Sequence, residues 1–294
     1  MGNMKSKVRL GAFAGALGVA LMATTSAFAI PVTTIAGIQV PSGFNPTGNY
    51  ISGQLDFEKL VTLPGQTFFG LGQVTDIADA NGNITYTGGP GVGTNYTPFG
   101  PAPTLWAAFG GFIVDTVVAP TPVTAGTLTF TGGFLNYYTF ASGSPPAVTT
   151  GSRTIDFANV QAGALWLNLL PDVVDTLGHT LIITIPALNS LTAFTGASAN
   201  AFLDVGPGGA PANAFFKTCN LPGGGFVNPT GTGGCSDVRF IGAANSGAAG
   251  DFDVSGHDTL KARALTPIPE PGSLLLLGTG LLGLARLRRK RASA

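Results

Sequence analysis

Thr127-Leu128-Thr129-Phe130-Thr131-Gly132-Gly133-Phe134-Leu135-Asn136-Tyr137-Tyr138-Thr139-Phe140 alternates apolar and polar side chains on either side of a Gly-Gly pair. Alternation with period two marks a half-buried strand, because successive side chains point to opposite faces. Gly-Gly between two such runs supplies the positive φ of a two-residue hairpin turn. The stretch therefore predicts two short strands joined at Gly132-Gly133.

The same signals recur on both sides of it. Upstream, Leu105 to Val118 is a long apolar run that reads as two buried strands or as one strand bent at Gly110-Gly111. Asn49 to Phe57, Gln66 to Ile77 and Ile84 to Thr87 carry strand patterns, with a turn at Asp79-Ala80-Asn81-Gly82-Asn83. Downstream, strands are expected at Arg153–Phe157, Ala164–Leu170, Thr180–Ile185, Ala201–Val205, Val238–Ile241 and Asp251–Ala264. Leu188 to Phe194 is ambiguous. No stretch of the body carries a capped helical period of about three turns. Many short strands at close spacing predict an all-β fold, a β-sandwich or jelly-roll-like domain over residues 30–266. Trp106 and Trp166 each sit in an apolar run and are expected in the core. An exposed Trp would instead point to carbohydrate binding.

Charge narrows the function classes. Between residues 30 and 266, six Lys and Arg stand against thirteen Asp and Glu, a formal net charge of −7. Nucleic-acid binding needs clustered Lys and Arg, so no nucleic-acid partner is expected. Only His179 and His257 are available as imidazoles, and no Gly-x-Ser-x-Gly elbow occurs. His179 reads as a polar turn residue. The body has a single Glu, Glu58, and scattered Asp; Asp172 and Asp175 fall in an apparent turn and make a weak catalytic pair. No catalytic residues are assigned and no enzyme is expected. A secreted hydrolase is the least favoured reading.

Two local patterns carry structural chemistry. Cys219 and Cys235 are the only cysteines, and in an exported chain such a pair predicts a disulfide around a glycine-rich loop. Asp251-Phe252-Asp253-Val254-Ser255-Gly256-His257-Asp258 spaces oxygen side chains like a calcium loop, making Asp251, Asp253, Ser255 and Asp258 a weak candidate Ca²⁺ site. The twelfth position is Ala262, where a bidentate Glu would be required, so the full EF-hand signature fails. The simpler reading is a strand with Phe252 and Val254 turned inward. No other cofactor is expected.

The two ends read as addresses. Lys5, Lys7 and Arg9 precede an apolar stretch from Leu10 to Met22, followed by Ala27-Phe28-Ala29. A basic region, a short apolar run and a small-x-small site make a secretory signal peptide, residues 1–29, cut after Ala29. The implied partners are the Sec translocon and signal peptidase. At the other end, Pro269-Glu270-Pro271 leads into the apolar run Gly272–Ala285, and then Arg286, Leu287, Arg288, Arg289, Lys290 and Arg291. The run spans about 21 Å as a helix at about 1.5 Å per residue, short against a bilayer core of about 30 Å. The basic cluster favours the cytoplasmic side, which leaves the body across the membrane. Both ends thus predict one topology, a body flanked by an N-terminal signal helix and a C-terminal transmembrane helix.

This tail, residues 267–294, resembles the PEP-CTERM sorting domain in its Pro-Glu-Pro, its Leu/Gly span and its Arg-rich end. The resemblance implies recognition by an inner-membrane exosortase and cleavage near Pro269 to Pro271. It also implies a Gram-negative host that makes exopolysaccharide, and delivery to the cell surface or extracellular matrix after a transient stay in the inner membrane. The expected role is structural or interactive, within a biofilm or exopolysaccharide matrix. The alternative is a carbohydrate-binding, lectin-like module, Ca²⁺-assisted or not.

Overall fold

The computed structural model describes residues 32–41, 49–79, 82, 84–88, 103–148, 151–219, 225–227, 234–247 and 252–262. The expected signal helix and transmembrane helix lie outside the described residues. Among those described, no helix is long and apolar enough to cross a membrane.

The expectation of an all-β body holds. The main strands are β3 (Asn49–Glu58), β4 (Thr67–Ala78), β6 (Thr104–Val118), β7 (Gly126–Phe140), β8 (Ala164–Pro171), β9 (Leu181–Ile185), β10 (Ala197–Val205), β13 (Val238–Ser246) and β14 (Val254–Ala262). Every pairing among them is antiparallel, in the order β13-β14-β3-β4-β6-β7-β8-β10. β10 then pairs with β13, from Ala197↔Ala244 to Leu203↔Val238, and the ring closes. The short strand β5 (Ile84–Thr87) lies along the far end of β4. The expected sandwich or jelly roll is thereby corrected to a closed barrel. Closure satisfies the backbone donors and acceptors of both would-be edge strands at once.

β8 and β9 fill a single position in the ring. β7 pairs with β8 through Leu135↔Leu169 and with β9 through Phe130↔Leu181, while β10 pairs with both on its other side. The chain leaves the wall at Asp172 and re-enters at Leu181. That nine-residue excursion carries Asp175 and His179.

The predicted hairpin at Gly132-Gly133 is also corrected. β7 runs through it as one strand, and β6 runs through Gly110-Gly111 as one bent strand, the second of its two readings. Gly132 faces Phe112 and Gly110 faces Phe134, so the two glycine pairs meet at one level of the ladder. Gly111, Gly132 and Gly133 all have positive φ, from 68° to 104°. The kink inverts the alternation of both strands. Leu105, Ala107 and Phe109 point into the lumen before it, and Phe112 and Val114 after it. On β7, Leu128 and Phe130 give way to Leu135 and Tyr137. The true connection between β6 and β7 is Ala119 to Ala125, where the Thr121 hydroxyl accepts from the amides of Val123 (3.3 Å) and Thr124 (3.0 Å).

Arg153–Gln161, expected to begin as a strand, is a helix, α1. Ser152 stands at its N-cap position and Asp156 in its first turn. Its Val160 and Phe157 close a second apolar layer over the outward side chains Leu71, Trp106, Ala108 and Tyr138. The five residues Arg153-Thr154-Ile155-Asp156-Phe157 fit either period; the apolar face waiting on β4, β6 and β7 selects the helix.

Two short pieces that no sequence signal anticipated finish the body. β1 (Val32–Ile35) and β2 (Ile38–Pro41) form a hairpin whose turn residues Ala36 and Gly37 both have positive φ. Trp166 Nε1 donates to the Ile35 carbonyl at 2.9 Å and holds that hairpin to β8. Trp106 and Trp166 are both fully buried, as expected. The helical turn α2 (Asn213–Phe216) sets Phe216 edge-on against Trp166, centroids 5.8 Å apart.

Candidate functional site

The expected disulfide between Cys219 and Cys235 is present, with Cα atoms 5.6 Å apart. It joins the chain after α2 to β12 (Cys235–Ser236), which pairs with β11 (Phe226–Val227). Asp237, next along and 3% exposed, anchors the bridge. Its Oδ1 accepts from the amides of Thr218 (2.6 Å) and Cys219 (2.7 Å), and its Oδ2 from Val205 (3.0 Å). The cysteine pair was legible in the sequence, and its carboxylate anchor was not.

His179 is held between two carboxylates. Its Nδ1 lies 2.5 Å from Asp175 Oδ2 and its Nε2 lies 3.0 Å from Asp115 Oδ2, with the ring only 6% exposed. Asp175 Oδ1 also caps the turn, accepting from the amides of Leu177 (2.9 Å) and His179 (3.1 Å). The excursion after β8 is thus pinned to β6. Asp175 and His179 are four residues apart and visible as a local pair; Asp115 lies 64 residues away and gave no signal. Asp172, the other half of the weak catalytic pair, turns elsewhere and accepts from the Ser236 hydroxyl at 2.9 Å.

Burial opposes charge on His179, but the hydrogen bonds and charges of Asp175 and Asp115 outweigh it, so its pKa is raised. The hydrogen bond from His179 lowers the pKa of Asp115. For Asp175, burial raises the pKa, yet its bonds to His179 and to the turn amides bring the net value down. When protonated, His179 donates from both ring nitrogens to the two carboxylates and has no lone pair to act as a base. The arrangement is a clamp.

Its pH dependence has two limits. A raised histidine pKa gives stability that is complete below about 6.5 and is lost as pH rises through the folded value. Lowered carboxylate values give stability that is complete above about 4 and lost as pH falls through theirs. The clamp is strongest between about pH 4 and 6.5. Thermal melts from pH 6 to 9 are expected to show wild type losing more stability than His179→Gln. Parallel curves would remove the clamp.

Three of the four residues in the Ca²⁺ pattern are described. Asp253 is already paired: Oδ1 accepts from Arg153 Nη2 at 3.0 Å and Oδ2 from the Leu60 amide at 3.1 Å, with Arg153 Nη1 2.9 Å from Oδ2. Ser255 and Asp258 lie on β14 at positions of opposite parity, so they stand on opposite faces of the barrel wall. Asp258 is buried; Asp251 lies outside the described residues. Phe252 and Val254 are buried, as the strand reading expected, but Phe252 lies before β14, which runs on through Gly256 instead of turning there. The described part of the pattern is not brought together. Among the described residues no group of three or more His, Cys, Asp or Glu could hold a metal ion.

Neither Trp can stack a sugar, since both are buried. The signal cleavage residues Ala27 and Ala29, the motif Pro269-Glu270-Pro271, and the basic residues Arg286, Arg288, Arg289, Lys290 and Arg291 lie outside the described residues.

No curated protein and no solved structure matches the chain. A family model does match its end, over residues 267–290. That match contains Pro269-Glu270-Pro271 and the apolar span and reaches Lys290 of the basic cluster. It implies export, a transient membrane-held C-terminus and an exosortase as processing partner. The chain carries, at residues 267–290, the PEP-CTERM protein-sorting motif.

Proposed function

We propose that this is a non-enzymatic protein of the Gram-negative cell surface or extracellular matrix. Exosortase processing releases it from the inner membrane, and its barrel serves as a structural or interaction unit among exopolysaccharide. The sorting motif at residues 267–290 is the observation that carries this reading. Physical features of the body support it. A closed antiparallel ring offers no open edge to neighbouring chains in a crowded matrix. The disulfide suits an oxidising compartment. The buried imidazole is engaged on both nitrogens rather than poised beside a nucleophile. Seven residues separate the end of β14 from Glu270, at most about 25 Å of extended chain, so processing is what would free the barrel from the membrane.

The test is deletion of Pro269 to Ala294. The truncated protein should still be exported and fold, but accumulate in the periplasm instead of at the surface or in the matrix. Fractionation identical to wild type would overturn the proposal. Intact mass of the mature protein should place one cut after Ala29 and another near Pro269–Pro271.

A further inference from the structure

The barrel lumen is asymmetric. β10 turns Ala197, Ala199 and Ala201 inward, and β13 turns Gly242 and Ala244 inward beside them. Across the lumen stand Phe68 on β4 and Phe109 and Phe112 on β6. Phe68 lies 5.1 Å from Phe109 and 5.2 Å from Phe130, ring to ring. Phe112 faces inward only because the glycine kink inverts the alternation of β6. Small side chains opposite large rings leave a cavity of about 40 Å³. A second, of about 20 Å³, shares Phe68, Ile183, Ala197 and Ala244 with it, so the two abut along the lumen.

Volume and polarity together select the occupant. A water needs about 10–15 Å³ and two to four polar partners. The space suffices for water, but the lining is almost wholly apolar. Its polar members, Ser198 and His257, are exposed, and by parity their side chains stand on the outer face of the wall. A small barrel either fills its interior with side chains or holds one small ligand, and here the filling is incomplete. We propose that the lumen binds the end of a linear alkyl chain. Its last few methylenes would lie between Phe68, Phe112 and the alanines of β10, and its polar end would stay outside the apolar space. A sugar would leave its hydroxyls unpaired against this wall. Among the described residues, no carboxylate, Lys or Arg lines the larger cavity to meet an ionised head group.

The inference is independent of the sorting motif and is tested on the purified, folded body with its disulfide intact. Methyl NMR of Leu181, Ile183 and Leu203 would be followed during titration with n-octanol and, separately, under xenon pressure. Both probes should shift these methyls saturably. Ala201→Leu, which fills the space, should weaken n-octanol binding at least tenfold; Ala199→Val gives the same reading if the first variant does not fold. Absence of a saturable shift in wild type, or undiminished binding in a folded filled variant, would overturn the proposal. Saturable shifts of the same methyls with cellobiose would also overturn it, by showing a polar site.

Discussion

Gly133→Ala is expected to lower stability by about 2–6 kcal/mol. Two costs combine. The backbone there has φ +104°, a region open to glycine and strained for other residues by about 1–3 kcal/mol. An added Cβ would also run into the ring of Phe112, itself buried in the lumen wall. Overpacking of that kind costs about 1–3 kcal/mol more. Gly143→Ala separates the two terms. Gly143 has φ +76° but nothing within 4 Å of its would-be Cβ, so it should show backbone strain alone. Denaturant titration of both variants measures the difference. Equal losses would mean that the paired kink is not tight at Gly133. Because the kink turns Phe112 inward, a folded Gly133→Ala variant should also bind n-octanol less well.

Removing the disulfide should cost about 3 kcal/mol. Cys219 and Cys235 close a loop of 16 residues, and the chain-entropy model gives about 3 kcal/mol for a loop of that length. The double variant Cys219→Ser, Cys235→Ser should therefore melt roughly 6–12 °C below wild type, at about 2–4 °C per kcal/mol for a domain of this size. Reducing agent should lower the melting point of wild type equally and leave the double variant unchanged. A wild-type melt indifferent to reductant would sink this prediction. Asp237 ties one end of the loop to β10, so disruption should concentrate on the segment between the cysteines rather than on the barrel. Gly225 reinforces the point, since a Cβ there would meet both sulfurs.

The glycine pairs show where local reading stops. Gly110-Gly111 and Gly132-Gly133 present the same chemistry, a backbone free to take positive φ. That freedom serves a hairpin turn and a kinked strand equally well. What separates the two outcomes is the partner: each pair lies opposite the other, and two long strands bend together. The sandwich expectation failed for a related reason. Alternation in β10 and β13 reports that each strand has a buried face, not that the two are neighbours, and their pairing closes the ring. α1 was missed because its nine residues show no strong period of their own. His179 read as an ordinary turn residue because half of its clamp, Asp115, belongs to another hairpin.

What the sequence determined by itself depends on covalent neighbours and composition: an all-β body, a cysteine pair in an exported setting, and a C-terminal motif read as a contiguous string. Tertiary structure alone decided the closure of the barrel, the direction Phe112 faces and the two carboxylates around His179. Those outcomes rest on hydrogen bonds and van der Waals contacts between groups far apart along the chain. Such contacts form only when the whole ring is assembled, so no window of local sequence contains them.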